Sequence, residues 1–429
     1  GFFESFWAPQ NRLSPLSETK PVTAEVPGEV VTIHVEDTLR KISPYVGGYN
    51  LNTYYGGKIF NKPLLLENIR QLALPFVRYP GGSGSNWYFW DRAKPDLPED
   101  VDYMIIKGEK EYLSDKIKWG SIPGADYLSL ENSYVLRDSL GNEAIHVINY
   151  PYARYGRSAE PVAQAAHYAA EWVRHDNGRT RFWEIGNEIY GSWEPGYIID
   201  TTRNQDGQPR QITGELYAQH CLVFLDSMRA AAAEIGADIK IGATLGFQER
   251  RSDWDVPVIQ GLTDQVDFYI VHKYFGTGND ATPAEVFASI DEFYQHKAHI
   301  DGLINQYCDS YVPLVITEWN TRFEGSRQNV SCANGMHNVL GYKAIINEGL
   351  GLSCKWNLIW GYKNGSTHGL IAGEKDDPTI EGLPAYHPRA PYYYIYYFKQ
   401  FLGDVSVSNS ADPATGVEVF SSAYTSGHT

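Results

Sequence analysis

The sequence is poor in cysteine, and it lacks any apolar run of the roughly 18 residues that a membrane-spanning helix requires. Its few cysteines are also scattered, which argues against a disulfide framework or a zinc site. We therefore expect four buried free thiols, at Cys221, Cys308, Cys332 and Cys354.

Basic residues are scarce as well, because 36 lysines and arginines stand against 52 aspartates and glutamates. The resulting formal net charge of −16 argues against nucleic acid or an anionic membrane as a partner. It favours a neutral ligand. Nothing in the sequence indicates an oligomeric state.

Aromatic residues, in contrast, are abundant: 31 tyrosines, 17 phenylalanines and 11 tryptophans. Hydrophobic residues make up 43% of the 429 positions, which is enough for one large globular domain and a smaller one. Many of the aromatic rings must be buried. Those that cluster beside polar loop residues are typical of sugar-binding clefts, because flat rings stack on the faces of sugars.

Short apolar runs alternate with helical patterns along most of the chain, which indicates βα units and a parallel sheet. The predicted strands lie at 45–51, 76–80, 144–150, 181–186, 239–245, 266–272, 312–319 and 354–360. Amphipathic helices are predicted at 160–175, 215–236, 283–298 and 334–350. Eight strands favour a (β/α)8 barrel over an open doubly wound sheet, and no Gly-x-Gly-x-x-Gly fingerprint follows the first strand.

Alternating strand patterns also occur near both ends of the chain, at 29–42 and after residue 403. We expect them to form a small, incomplete β-sandwich. The predicted division is therefore an N-terminal segment at 1–43 that contributes a strand, a catalytic barrel at 44–393, and C-terminal strands at 394–429. The long non-periodic stretch 83–143 is expected to be functional or locally structured.

Two glutamates follow or end predicted barrel strands, where barrel enzymes carry their catalytic groups. Glu188, in "RFWEIGNEIYGSWEPGY", follows strand four, and Glu318, in "VITEWN", ends strand seven. These strand ends face each other, and two carboxylates about 5 Å apart can cleave a glycosidic bond with retention. Asn187 could bind the sugar hydroxyl beside the anomeric carbon, and Trp183 and Trp193 could form walls of the site.

The motifs "WEIGNE", "ITEWN" and "VRYPGG" (77–82) resemble those of clan A retaining glycoside hydrolases, closest to the α-L-arabinofuranosidases and their relatives. The resemblance implies a (β/α)8 barrel with Glu188 as acid/base and Glu318 as nucleophile. It implies further that Arg78 keeps the nucleophile ionised and that His272 and Tyr274 bind sugar and orient the nucleophile. Trp319 and Trp360 are candidate stacking platforms.

Two positions depart from the arabinofuranosidase pattern. A glutamate is expected after strand one, where this chain has Asn50 and Asn52, and Ser83 stands where an asparagine is expected, with Asn86 three residues later. We therefore predict a retaining hydrolase of a plant or algal oligo- or polysaccharide, with α-L-arabinofuranosidase and an agarase-like endo-hydrolase as alternatives. The aromatic run 87–90 is expected to add stacking surface beside the site.

A barrel that binds carbohydrate without cleaving it remains an alternative of another class, and it would lack at least one catalytic carboxylate. No cofactor and no metal site are expected, because no histidine pair sits at a strand end, although the many acidic residues leave a structural calcium open. We expect a secreted, periplasmic or cell-envelope protein, although no leader is visible before Gly1.

Overall fold

The structure is a computed structural model. It describes residues 2–10, 30–53, 59, 61–93, 96–113, 119–121, 128–276, 281–322, 327–361, 367–374, 383–411 and 417–426. Its strands are β1 (Thr32–Lys41), β2 (Gly48–Asn50), β3 (Phe76–Tyr79), β4 (Tyr103–Ile106), β5 (Glu109–Tyr112), β6 (Glu143–Ile148), β7 (Phe182–Ile185), β8 (Lys240–Thr244), β9 (Phe268–Phe275), β10 (Leu314–Thr321), β11 (Ser353–Lys355), β12 (Ile359–Trp360), β13 (Ile371–Ala372), β14 (Val405–Ser410) and β15 (Ser422–Ala423).

Eight of these strands close into a parallel barrel in chain order, from β2 through β3 and β6 to β11, which pairs with β2 again. The predicted (β/α)8 fold is thereby confirmed. The α-helices are α1 (Pro63–Leu72), α2 (Leu130–Leu140), α3 (Tyr152–Tyr155), α4 (Pro161–Asp176), α5 (Gly214–Glu234), α6 (Ser252–Leu262), α7 (Pro283–Ala288), α8 (Asp291–Tyr307), α9 (Cys332–Asn347) and α10 (Ala390–Phe401).

The helix predicted at 283–298 is two helices in the structure. A capping box between Thr282 and Glu285 starts α7, and α7 ends where the Ser289 hydroxyl donates to the Val286 carbonyl. Helix α8 then runs well beyond the predicted end. The predicted strand 354–360 is likewise split into the barrel strand β11 and the short strand β12.

The N-terminal end of the barrel is closed by aromatic side chains. A 3₁₀ helix at Phe2–Phe6 inserts Phe3 against Phe182 and Phe268, with ring centroids 5.8 and 6.2 Å apart. The sequence pattern predicts only a sandwich strand from residues 1–43 and gives no indication of this contact. The remaining barrel interior and the helix faces form one large hydrophobic core.

The two ends of the chain meet in a small antiparallel sheet, in which β14 pairs with both β1 and β15. This sheet is consistent with the expected terminal sandwich. Helix α10 crosses the predicted boundary at 393/394, and the division into three segments stays a prediction. Parts of both terminal segments, 11–29, 412–416 and 427–429, lie outside the described residues.

The stretch 83–143 contains local structure, including a 3₁₀ helix at Gly82–Trp87, the hairpin β4–β5 and helix α2. All four cysteines are free: Cys221 and Cys354 are buried, as expected, whereas Cys308 is half-buried and Cys332 is exposed. Within the described parts of the chain, no helix combines the length and the apolar character that crossing a membrane would require.

Candidate active site

Glu188 and Glu318 lie together at the C-terminal end of the barrel. Glu188 follows β7 with a left-handed φ of 47°, and Glu318 lies within β10, where it is 5% exposed. One oxygen of each carboxylate and one ring nitrogen of His272 all lie within 4.8 Å of one another. A left-handed non-glycine residue is uncommon and is often found at functional sites.

Arg78 connects most of the site from β3. Its Nη1 donates to Glu318 Oε2 at 3.0 Å and to Asn50 Oδ1 at 3.0 Å. Its Nε and Nη2 form a forked pair with Glu184 at 2.9 and 2.6 Å, and Nη2 also reaches Asn187 Oδ1 at 2.8 Å. This planar fork fixes three strands at once, which a lysine could not do.

His272 and Tyr274 lie on β9, next to β10, and His272 pairs in register with Glu318. The Tyr274 hydroxyl donates to Glu318 Oε1 at 2.5 Å, a contact that can orient this carboxylate. His272, however, places Nδ1 3.1 Å from Glu188 Oε1 and Nε2 3.0 Å from the Thr317 hydroxyl. The histidine therefore orients Glu188 more closely than Glu318, from which its Nδ1 lies 4.0 Å away.

Burial and the neighbouring charges act in opposite directions on the pKa values of the two carboxylates. Burial raises the pKa of Glu318 above its ordinary value, although His272 and Arg78 oppose the rise. Burial acts likewise on Glu188, but the hydrogen bond and charge of His272 hold the pKa of Glu188 below its ordinary value. The sequence could not show that His272 would contact Glu188.

Burial alone would lower the pKa of His272, but the three carboxylates around it raise this pKa to about 9. At neutral pH the cluster therefore holds a proton between His272 Nδ1 and Glu188 Oε1. A proton in this hydrogen bond is placed where an acid catalyst needs it.

Two further buried glutamates support the site, and neither was predicted from the sequence. Glu184 is fully buried on β7 and takes the forked pair with Arg78. Glu194 is 1% exposed and accepts hydrogen bonds from Ser83, Asn86 and Asn187. Burial raises the pKa of Glu194 to about 8. The available signal was a glutamate inside the apolar run "FWEIG", since a buried charge requires a partner.

The two departures from the arabinofuranosidase pattern serve the framework of the site. Ser83 Oγ donates to Glu194 at 2.5 Å. The side chain of Asn86 accepts from the backbone N–H of Asn187 and donates to the backbone carbonyl of Asn187. The Asn50 amide donates to the Thr317 carbonyl at 2.9 Å. Asn52, buried just beyond β2, stays a candidate for binding sugar.

The tryptophans that were predicted to contact sugar differ in their exposure. Trp193 is 36% exposed, lines the cleft and donates Nε1–H to Glu188 Oε2 at 2.7 Å. Trp319 is fully buried against Tyr342, so it is a core residue and the expectation of a platform was wrong. Trp183 is also fully buried and forms no wall.

Trp360 is half-buried on β12, where its ring lies 6.1 Å from that of Trp356. It stays a candidate platform. Trp356, which was not among the predicted site residues, lies directly after β11 and over Gly82, where a Cβ atom would collide with its ring. Both tryptophans lie in the run "CKWNLIW", and the sequence does not indicate which of them faces the site.

The aromatic run 87–90 adds less surface than expected. Trp87 lines the cleft, but Tyr88 and Phe89 are buried, and Trp90 packs on Tyr168 of α4. The prediction failed because the three residues after the 3₁₀ helix pack against other rings, Tyr88 and Trp90 on Trp172 and Phe89 on Trp119. Stacking surface from this segment is therefore confined to one ring.

A cleft of about 790 Å³ opens beside Glu188 and is also lined by His272 and Tyr274. Among the described residues, one group of three side chains, Glu188, His272 and Glu318, could offer ligand atoms to a metal ion. The Arg78 guanidinium 3.0 Å from Glu318 and the raised pKa of His272 both oppose a bound cation there. The same groups suit proton transfer and nucleophilic attack better.

Comparison with curated proteins finds α-L-arabinofuranosidases. The chain is 27% identical over 312 residues to alpha-L-arabinofuranosidase C of Emericella nidulans, a match that covers 66% of this chain and 53% of that protein. It is 21% identical over 284 residues to an intracellular exo-alpha-(1->5)-L-arabinofuranosidase of Halalkalibacterium halodurans, covering 61% and 49%. The chain thus spans about half the length of these relatives. No model of a known protein family matches it.

Similar solved structures have the same architecture. The alpha-L-arabinofuranosidase of Thermotoga maritima, in complex with arabinose, matches with a TM-score of 0.63 and 18% identity, over 90% of this chain and 76% of that one. A bifunctional glucanase–xylanase from a metagenome library matches with a TM-score of 0.58 and 12% identity, over 93% and 85%. These comparisons confirm the predicted resemblance to clan A glycoside hydrolases, closest to the arabinofuranosidases.

Proposed function

We propose that this chain is a retaining O-glycoside hydrolase that acts by a two-glutamate double displacement. The observation that carries the proposal is the approach of the Glu188 and Glu318 carboxylates to within 4.8 Å at the C-terminal end of the barrel. Retaining enzymes hold the two carboxyl groups about 5 Å apart, whereas inverting enzymes leave room for a water molecule between them.

Glu318 is the nucleophile in this proposal. Arg78 donates a hydrogen bond to one oxygen of Glu318 and Tyr274 donates one to the other, which keeps the carboxylate oriented toward the anomeric carbon. Attack forms a covalent glycosyl-enzyme and releases the leaving oxygen. The positive charge of Arg78 favours the ionised form that attack requires, against the effect of burial.

Glu188 is the acid/base residue. It gives the leaving oxygen the proton that it shares with His272, and it then removes a proton from the water that hydrolyses the glycosyl-enzyme. Trp193 donates a hydrogen bond to the second oxygen of Glu188 and so fixes the position of the carboxylate. His272 is thus the group that keeps a proton available to the acid at neutral pH.

Asn187 is proposed to bind the sugar hydroxyl beside the anomeric carbon. Its side-chain oxygen accepts from Arg78, and its amide donates to Glu194 at 3.1 Å. An amide has two N–H groups, so one remains for the substrate. The rigid placement of this donor is what allows a hydrogen bond to strengthen in the transition state.

The substrate is proposed to be a plant or algal oligo- or polysaccharide, with α-L-arabinofuranosyl linkages as the first candidate. The similar curated proteins are arabinofuranosidases, which supports this sugar. Asn52 stands in place of a sugar-holding carboxylate, and the large cleft accommodates more than one sugar unit. An agarase-like specificity has no support among these relatives.

A barrel that only binds carbohydrate is disfavoured, because both carboxylates and their supporting residues converge in one cluster. A secreted or periplasmic location has no support from the comparisons, since one of the two curated relatives described above is named intracellular. Fractionation of the source cells, with detection by antibody, would locate the protein.

The test separates the roles of the two glutamates. Glu318→Ala should lose at least about four orders of magnitude in kcat on every aryl glycoside that the wild type cleaves. Glu188→Ala should slow substrates with poor leaving groups far more than those with good ones, because only the poor ones need a proton. Azide should rescue Glu188→Ala and form a glycosyl azide of retained configuration, read by NMR.

Wild-type rates in Glu318→Ala would place the nucleophile elsewhere and refute the mechanism. The substrate proposal needs a separate panel of aryl α-L-arabinofuranosides, arabinan, arabinoxylan and agar. We expect hydrolysis of an arabinofuranosyl linkage, with faster turnover of an oligosaccharide than of an aryl glycoside. Action on agar alone would contradict the sugar but leave the mechanism intact.

A further inference from the structure

The cleft beside Glu188 has the opposite charge balance from the rest of the chain. The charged residues of its lining include one lysine, three arginines and two glutamates: Lys107, Arg250, Arg251, Arg322, Glu111 and Glu188. In the whole chain acidic residues outnumber basic ones by 52 to 36. A cationic lining on an acidic protein is a local feature, and a cleft of one sign concentrates ligands of the other sign.

Arg250 and Arg251 belong to a short 3₁₀ helix, Glu249–Arg251, that follows β8 at the end of the barrel where Glu188 lies. Arg250 is exposed and donates Nε–H to Gln248 Oε1 at 2.5 Å. This single hydrogen bond uses one edge of the guanidinium. The two terminal nitrogens remain for a ligand in the cleft.

Arg251 contacts two aromatic residues that follow Glu188 in the chain. Its Nη1 donates to the Tyr190 carbonyl at 3.1 Å, and its guanidinium carbon lies 5.4 and 5.7 Å from the ring centroids of Tyr190 and Trp193. Trp193 in turn donates to Glu188. These contacts with two rings, together with the hydrogen bond to the Tyr190 carbonyl, restrict the guanidinium before a ligand arrives, which reduces the entropy lost on binding.

In the part of the chain that the structure describes, neither Arg250 nor Arg251 forms an ion pair with a carboxylate. This distinguishes them from the surface arginines Arg174 and Arg203, which pair with Glu234 and Asp102. Two adjacent arginines repel each other unless an anion lies between them or near them. Their planar forks match the oxygens of a carboxylate or a sulfate.

We propose that the cleft beside Glu188 binds an anionic sugar unit, one that carries a carboxylate or a sulfate ester, through Arg250 and Arg251. The inference rests on the proposed glycosidase function and specifies its substrate class. It replaces the neutral ligand that the net charge alone suggested. The anionic unit belongs to the substrate chain, while Glu188 and Glu318 act on the neighbouring linkage.

Binding can be measured without turnover in the Glu318→Gln variant, by isothermal titration calorimetry. Two probe pairs separate the sources of charge: an arabinoxylan oligosaccharide with and without a glucuronic acid substituent, and an agaro-oligosaccharide with and without sulfate. We expect at least one anionic probe to bind about three- to ten-fold more tightly than its neutral partner at low salt. The probe that shows the preference identifies the carboxylate or the sulfate.

The preference should shrink at 1 M NaCl, because the screening length falls from about 10 Å at 0.1 M to about 3 Å. Arg250→Gln should abolish it. Arg70→Gln is the matched control, since Arg70 is exposed on α1 outside the cleft and its replacement changes the net charge equally. The control should retain the full preference.

The inference is overturned if neither anionic probe binds more tightly than its neutral partner, or if the preference survives in Arg250→Gln. Either result is compatible with an active glycosidase. Conversely, if the wild type cleaves no glycoside but binds an anionic probe through Arg250, the proposed hydrolysis fails and the anion site stands. The two proposals can therefore fail separately.

Discussion

The two ends of the barrel are built from the same strands with opposite chemistry. At the N-terminal end, Phe182 opens β7 and packs with Phe3 and Phe268 in an apolar cluster. At the C-terminal end, Glu184 of the same strand and Glu188 just beyond it belong to a buried network of charges. The seven residues from Phe182 to Glu188 thus connect the apolar end of the barrel with its charged end.

The difference shows how the fold separates stability from chemistry. Burial of aromatic surface needs no specific partner and is favourable wherever water is excluded. Buried charges are costly unless each has a partner, so the C-terminal end is held by a connected set of hydrogen bonds around Arg78. Damage at one end should therefore have consequences that damage at the other end lacks.

Arg78→Met should have the largest effect, because it removes the centre of the charged end. Glu184 would lose its hydrogen-bonded cation and keep only His272, 3.7 Å away, as a cationic neighbour, and breaking a buried ion pair in this way costs about 3–5 kcal/mol in the free energy of unfolding. Glu318 must be ionised to attack, and loss of the nearby charge raises its pKa. The acid limb of the pH–rate profile should therefore move to higher pH.

Both effects can be measured on one preparation, by urea denaturation and by kcat/KM against pH. Arg78→Lys, which keeps the charge and loses the fork, should lie between wild type and Arg78→Met in the position of the acid limb. An unmoved acid limb with intact activity in Arg78→Met would make Arg78 a purely structural residue.

Phe3→Ala tests the apolar end and should lower the free energy of unfolding by about 3 kcal/mol, since it empties a buried aromatic position. The kcat of the folded fraction should not change, because the site lies at the other end of the barrel. Phe401→Ala is the control, because Phe401 is 65% exposed and should cost less than about 0.5 kcal/mol. A loss of kcat equal to that in the Arg78 variants would contradict the separation of the two ends.

Trp193→Phe sharpens the comparison within the charged end, because it keeps an aromatic ring and removes the N–H donor to Glu188. We expect kcat/KM for poor leaving groups to fall by about tenfold, the value of one hydrogen bond to a charged group. The pKa of Glu188 should rise without this donor, so the alkaline limb should move to higher pH.

The matched change Trp319→Phe removes an indole from the core and should affect stability rather than the pH profile. Equal pH profiles in the two tryptophan variants would show that the contact between Trp193 and Glu188 has no role in proton transfer.

Glu194→Gln should have the smallest effect, a change in how the free energy of unfolding depends on pH. Burial raises the pKa of Glu194 to about 8 in the folded protein, so the folded state binds its proton more tightly than the unfolded state does. Its contribution to stability is complete below the unfolded pKa of about 4.3 and is lost as pH rises toward the folded value.

The variant should therefore show a flatter dependence of the urea midpoint on pH than the wild type over this range. Identical slopes would mean that Glu194 is ionised in the folded protein at neutral pH, as its three hydrogen-bond donors also allow.

The sequence by itself determined the barrel and the position of its two principal glutamates. Alternation of apolar runs and amphipathic helices is local information, and a parallel strand places its C-terminal residue at one predictable edge. Glu188 and Glu318 could therefore be assigned to the same end of the molecule before any distance was known. Arg78 and Tyr274 followed from short motifs at other strand ends.

Only the tertiary structure decided which neighbour each of these groups contacts. Whether Trp319 faces the substrate or the helices depends on the rotation of β10, and a strand buried on both faces carries no alternation from which to read it. The contact of His272 with Glu188 and the contacts of Glu194 with Ser83 and Asn86 each join residues from different βα units. The cleft likewise places Arg250 and Arg251 beside residues of several other units. These contacts depend on packing between segments far apart in the chain, for which one sequence holds no local signal.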